Sequence, residues 1–196
     1  GPALTALSQR RGLRVLDVRN CSLSAASFTL LVEATWPALT SLCADFKMVV
    51  SYSVGGLIST QNPEELAFGA DAFAGFPELE ELDLSDVPLC ADGARLLARR
   101  RWPRLRVLRL RNAYLEDAGA AELASGYWPA LERLNLLDNC MRAPPTLEAA
   151  RAWAPALAHL KTGEICEESE RVVRYGARGA NGYDSEASEV SRGSED

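Results

Sequence analysis

The sequence predicts an α/β fold: a right-handed solenoid, a horseshoe segment with a parallel β-sheet on its concave face and helices on its convex face. Three observations lead there. The pair Trp-Pro recurs at Trp36, Trp102 and Trp128, followed each time by a leucine, Leu39, Leu105 and Leu131. Leucines repeat every 26 residues, from Leu13 to Leu39 and from Leu79 through Leu105 and Leu131 to Leu157. Inside each unit the apolar positions agree. A unit this short cannot bury its own apolar face, so neighbours must stack to make a core.

Counting the first leucine of a unit as zero, position 3 is Leu16, Leu42, Leu82, Leu108, Leu134 and Leu160. Position 5 is Val18, Ala44, Leu84, Leu110 and Leu136, and position 10 is Leu23, Val49, Leu89, Leu115 and Met141. Alternation at 3 and 5 is the period of a strand with one buried face. Positions 15, 18 and 19 hold Phe28, Leu31 and Val32, then Ala94, Leu97 and Ala98, then Ala120, Leu123 and Ala124, the spacing of one helix face. Asp92 and Asp117 are expected to start two of these helices, because a short acid accepts orphan N–H groups. The proline of Trp-Pro stops each helix and biases its predecessor toward extended backbone. The recurring tryptophans are read as packing.

These residues carry a resemblance. L-x-x-L-x-L, then Cys21 or Asn139 at position 8 and an apolar residue at position 10, resembles the leucine-rich repeat. Unit length and the Asp-Gly-Ala helix start are similar to the ribonuclease-inhibitor-like class, and Gly93-Ala94-Arg95-Leu96-Leu97-Ala98 and Gly119-Ala120-Ala121-Glu122-Leu123-Ala124 to its GALA variety. Val87 and Ala113 depart from the pattern at position 8, which argues against a continuous side-chain ladder there. The resemblance covers 13–162, with 1–12 as part of a preceding repeat and the chain as part of a longer protein. Residues 163–175 read as a weak C-terminal cap, and 176–196 as an acidic, Gly/Ser-rich disordered tail. Nine acids and four arginines fall in 163–196, too polar a stretch to offset its ordering entropy.

One interval is irregular: Leu39 to Leu79 is 40 residues. The insertion, about 49–62, alternates at Val50, Tyr52 and Val54, and a two-residue turn at Gly55-Gly56 predicts a β-hairpin. Asn62-Pro63 then predicts a helix restart. Tyr52, Val54 and Leu57 are the candidate partner-binding residues of this insertion; the alternative is a loop that packs back on the repeats.

Composition removes several classes of function. The 196 residues are 47% hydrophobic and 24% charged, with a net charge of −6, as in ordinary globular chains. No apolar run approaches the ~18–20 residues of a membrane span. Five cysteines without C-x-x-C argue against a disulfide framework or a zinc site and for a reducing compartment. A single histidine, His159, excludes multi-histidine metal sites and leaves no nucleophile–base motif. Hence no catalytic residue, metal, cofactor or membrane partner is expected, and a monomer in the cytoplasm or nucleus is.

Eight arginines lie between Arg95 and Arg111. The repeat register sets Arg106 between Glu80 and Glu132, and Asp83 beside Arg109, so the block reads as lateral ion pairs, each worth a few tenths of a kcal/mol. Aromatic interleaving for single strands is missing, and no nucleic-acid partner is expected. The concave positions 2, 4 and 6 supply the candidate partner-binding residues Asp17, Arg19, Asp45, Glu81, Asp83, Arg109, Arg111, Arg133, Asn135 and Lys161. Charges of mixed sign suit a protein partner of complementary charge. The expected function is a non-catalytic protein-protein recognition module or scaffold. The resemblance implies the substrate-binding part of a ubiquitin-ligase adaptor, with an immune-sensor domain alongside. The alternative is a GTPase-activating-type regulator resembling the Ran GTPase-activating protein, whose repeats also precede an acidic tail.

Overall fold

In chain order the elements are β1 (Val15–Asp17), α1 (Ala25–Glu33), β2 (Ser41–Cys43), β3 (Val50–Ser53), β4 (Gly56–Ser59), β5 (Glu81–Asp83), α2 (Cys90–Arg99), β6 (Val107–Arg109), α3 (Glu116–Ala124), β7 (Arg133–Asn135), α4 (Leu147–Ala150) and β8 (His159–Lys161). They come from a computed structural model that describes residues 6, 7, 10, 12–46, 66 and 68–162, with the backbone alone at 50–53 and 56–59. The chain divides into two units, Gly1–Ile165 and Cys166–Asp196, and all described residues belong to the first. The expected cap and tail therefore lie outside the described residues, as do Val49 and the helix restart at Asn62-Pro63.

Six strands form one parallel sheet in the order β1-β2-β5-β6-β7-β8. Leu16, Leu42, Leu82, Leu108, Leu134 and Leu160 are partners across it, so the insertion leaves the register untouched. Five of these leucines are buried and Leu160, on the edge strand, is half-buried. Leu84, Leu110 and Leu136, two residues further on, are buried too, and they share one core with Phe28, Leu31, Val32, Leu97 and Leu123 of the helices. Helices thus cover the leucine side of the sheet. In α3 only Leu123 of the predicted face is fully covered; Ala120 is half-buried and Ala124 exposed.

The helix starts differ from the sequence expectation. Helices α2 and α3 begin at Cys90 and Glu116, and their caps, Leu89 and Leu115, make no side-chain cap bond. Asp92 and Asp117 lie inside the first turn, where a carboxylate meets the positive end of the helix dipole without capping it. Ser24 and Thr146 do cap α1 and α4, accepting from the N–H of Ser27 and Ala149. The C-terminal ends share one device. The indole Nε1 of Trp36, Trp102 and Trp128 donates to the carbonyls of Leu31, Leu97 and Leu123 at 3.0, 2.9 and 3.1 Å. A tryptophan 2% exposed or less thus satisfies a last-turn carbonyl while filling the core. Trp102 and Trp128 stack with ring centroids 6.4 Å apart.

Left-handed backbone recurs two residues beyond the buried residue at position 5: Asn20, Asp86, Asn112 and Asp138 have φ of 57, 62, 51 and 59°. Asn and Asp tolerate this region best among residues with a Cβ. One residue further on, the centre carries apolar residues in place of a polar ladder, as the sequence implies: Val87 and Ala113 are fully buried. Asn139 does the work of such a ladder. Its Oδ1 accepts from the N–H of Ala113 and Leu115 at 2.9 and 3.3 Å, and its Nδ2 donates to the carbonyls of Leu110 and Leu137 at 2.6 and 3.1 Å.

Residues 50–53 and 56–59 pair as the antiparallel strands of a hairpin, with Tyr52 opposite Leu57 and Ser53 opposite Gly56. Gly56 is therefore a strand residue, which departs from the predicted turn at Gly55-Gly56. The stretch that follows packs into the core: Leu66, Ala72, Phe73 and Phe76 are buried. Between β4 and β5 the described residues hold no helix. Rings fill that layer instead, with Phe28 6.2 Å from both Phe46 and Phe68, and Phe68 5.9 Å from Phe73. Phe76-Pro77 stands where Trp-Pro stands elsewhere. Gly75 is required beside it, because a Cβ there would lie 2.0 Å from the carbonyl oxygen of Ala34.

Leu108→Ala should lower unfolding free energy by about 2–5 kcal/mol in a denaturant titration, the cost of truncating a buried leucine. Asn139→Ala should cost about 3 kcal/mol in the same measurement. Asn139→Asp should not rescue it, since a carboxylate cannot donate to Leu110 and Leu137.

Candidate functional site

Side chains alternate across a strand, so residues flanking each buried leucine point to the opposite face of the sheet. One row is Val15, Ser41, Glu81, Val107, Arg133 and His159; the other is Asp17, Cys43, Asp83, Arg109, Asn135 and Lys161. Asp17, Arg133, His159 and Lys161 are exposed and most others half-buried. Asp83 departs from the expectation of an exposed site residue: it is 7% exposed. Its Oδ1 accepts from both the hydroxyl and the N–H of Ser85, at 2.7 and 3.1 Å, and Arg109 lies 3.9 Å from Oδ2. These partners let a carboxylate stay where solvent is scarce.

The other predicted site residues are mostly engaged within the chain. Arg19 grips Asp17 through Nε and Nη2 at 3.0 and 2.6 Å, which holds the Asp17 carboxyl below the usual range. Asp45 accepts from the Asn20 N–H at 2.9 Å. Arg109 pairs with Glu81, and Arg111 with Asp138 at 2.6 Å. Asn135 turns its Oδ1 to the Leu137 N–H at 3.1 Å. Arg133 and Lys161 have no ion-pair partner among the described residues. Of the insertion residues, Tyr52 and Leu57 are strand partners, and Val54 lies outside the described residues.

The arginine block is largely paired. Arg106 meets Glu132 through two bonds of 2.9 and 3.0 Å, while Glu80 adds only its charge rather than a second contact. Arg104 pairs with Glu78, and Arg95 with Glu122 and Asp92 at 2.9 and 2.8 Å. Arg100 donates to the carbonyls of Ala70 and Ala72, tying α2 to the aromatic stretch. The 26-residue spacing points to Glu132 and Glu78; the partners of Arg111, Arg95 and Arg100 carried no repeat signal.

Burial, and after it the Asp83 carboxylate, pushes the Cys43 thiol up, so it stays protonated near neutrality and is a poor nucleophile. A depression of about 370 Å³ lies over β6, β7 and β8, with Val107, Arg133, Asn135, His159 and Lys161 in its lining. Among the described residues no group of His, Cys, Asp and Glu is placed to hold a metal ion, and no helix is long and apolar enough to cross a membrane. No protein-family model matches the chain, and no curated protein matches it.

Glu132 titrates below the ordinary carboxylate range because Arg106 bonds its charged form. The stabilisation this gives is present above the ordinary carboxylate value and is lost as pH falls through the lower folded value. In Arg106→Gln, carboxyl NMR should show the Glu132 midpoint rising toward its ordinary value. An unchanged midpoint would show that the pair does not form in solution.

Proposed function

We propose that this chain is a leucine-rich-repeat solenoid segment acting as a non-catalytic protein-recognition module, with the open face of its parallel sheet as the binding surface. One observation carries the reading. Parallel sheets are ordinarily covered on both faces and rich in aliphatic residues on each. This sheet buries leucines on one side and presents charged, solvent-accessible rows on the other. Holding ionic rows in register across six strands gives a broad, rigid array of fixed charges, which favours specificity and orientation in a complex. The hairpin of β3 and β4, rooted between β2 and β5 in sequence, supplies a second element for recognition. A role as the substrate-binding arm of a ubiquitin-ligase adaptor fits such a surface, in the cytoplasm or nucleus.

A photo-crosslinking amino acid tests this. Placed at Val15 or His159 on the open face, it should trap a discrete protein from a native lysate. Placed at Arg99 or Ala121, exposed on the helices, it should trap none of it. Crosslinking from the helix positions alone would overturn the reading, and acceleration of GTP hydrolysis by Ran would replace it with the regulator.

A further inference from the structure

Charge on the open face is sorted along the sheet. The flanking positions of β1, β2 and β5 carry Asp17, Glu81 and Asp83, with Asp45 just beyond β2. The flanking positions of β6, β7 and β8 are Val107, Arg109, Arg133, Asn135, His159 and Lys161, among which there is no carboxylate. Acids do occur at the ends of these strands, and both that lie closest are spent. Glu132 is held by Nε and Nη2 of Arg106, although Arg133 still feels its charge, and Asp138 is bonded to Arg111. Arg109 is neutralised by Glu81 and Asp83. Arg133 and Lys161 remain exposed without an ion pair among the described residues, and the amide Oδ1 of Asn135 is turned away to its own backbone.

Resting on the recognition reading, we propose that the partner presents an acidic extended segment, and that it docks over β6, β7 and β8 with its carboxylates on Arg133 and Lys161. These two cations sit on adjacent strands, two residues apart along the strand direction, which places their Cα atoms about 8 Å apart. Alternate residues of an extended peptide are separated by about 6.6 Å on one side. Two acids at i and i+2 therefore span the pair once the long cationic side chains adjust, and the residue between them faces away. Val107, half-buried in the lining of the depression, offers a small apolar contact and no stacking surface. Of the six flanking positions of these strands only His159 carries a ring, with no Phe, Tyr or Trp among them, and just two of their cations are without an ion pair among the described residues, which favours a peptide over a nucleic acid.

The probe is a short fluorescent peptide of alternating Glu and Ser, measured by anisotropy against the full chain. It should bind at low salt and weaken steeply as salt rises. The Gln–Ser version should bind at least about tenfold more weakly, and Arg133→Glu with Lys161→Glu should weaken the Glu–Ser peptide by about tenfold or more. Both positions are exposed, so an unchanged melting temperature shows that the variant is folded. Equal binding of the Gln peptide, tighter binding of an oligouridylate, or indifference to the double substitution would overturn the proposal. Failure here is separable from failure of the recognition reading. A protein trapped from Val15 and unaffected by the double substitution removes the acidic-segment proposal alone, whereas no protein trapped from either face position removes the recognition reading.

Discussion

The six-stranded sheet depends on strands three residues long being held together by leucines that meet only across neighbouring strands. A strand such as Val107–Arg109 makes few backbone bonds of its own, and its single inward side chain, Leu108, touches other leucines only because Leu82 and Leu134 stand beside it in register. Burying such a leucine is worth about 2 kcal/mol relative to leaving it in water, and that gain vanishes at a strand without neighbours. Edge positions show the consequence: Leu160 on β8 is only half-buried although its sequence position is that of Leu108.

A core assembled from such short elements leaves many backbone groups in turns, and these must be satisfied where water does not reach. Two kinds of side chain do so. Tryptophans close the last turns of three helices while filling volume, and Asn139 makes three bonds to the neighbouring turn, whose own unit offers only Ala113, and one to its own. The left-handed residues Asn20, Asp86, Asn112 and Asp138 let the chain leave each strand sharply enough for the helices to come back over the leucines.

The face turned away from the core obeys a different constraint. Exposed charges in register would repel if alike, and here most find an opposite charge on the same or the next strand, as Arg109 does with Glu81. Such pairs at the surface contribute little to stability. Their effect is to subtract: they silence most of the arginine block, and Arg133 and Lys161 are left as the cations of the face without an ion pair among the described residues. A surface is thus legible only after its internal pairs have been removed from it.

The leucine period, the parallel register across the insertion, the buried tryptophans and the Arg106–Glu132 pair were all readable in the sequence. Each depends on what recurs at a fixed spacing, and stacking converts equal spacing into lateral contact. What tertiary structure alone decided lies off that spacing. Asp83 is buried because Arg109 and Ser85 converge on it, Arg100 reaches the carbonyls of an irregular stretch, and Phe68, Phe73 and Phe76 pack into the core from a stretch whose described residues hold no helix. The helices start two residues before Asp92 and one before Asp117, since Leu89 and Leu115 are pinned by burial, and packing outweighs a capping preference worth about 1 kcal/mol. Periodicity specifies which residues are neighbours along the stack; where a side chain's partners come from a different depth or an aperiodic segment, only the folded chain brings them together.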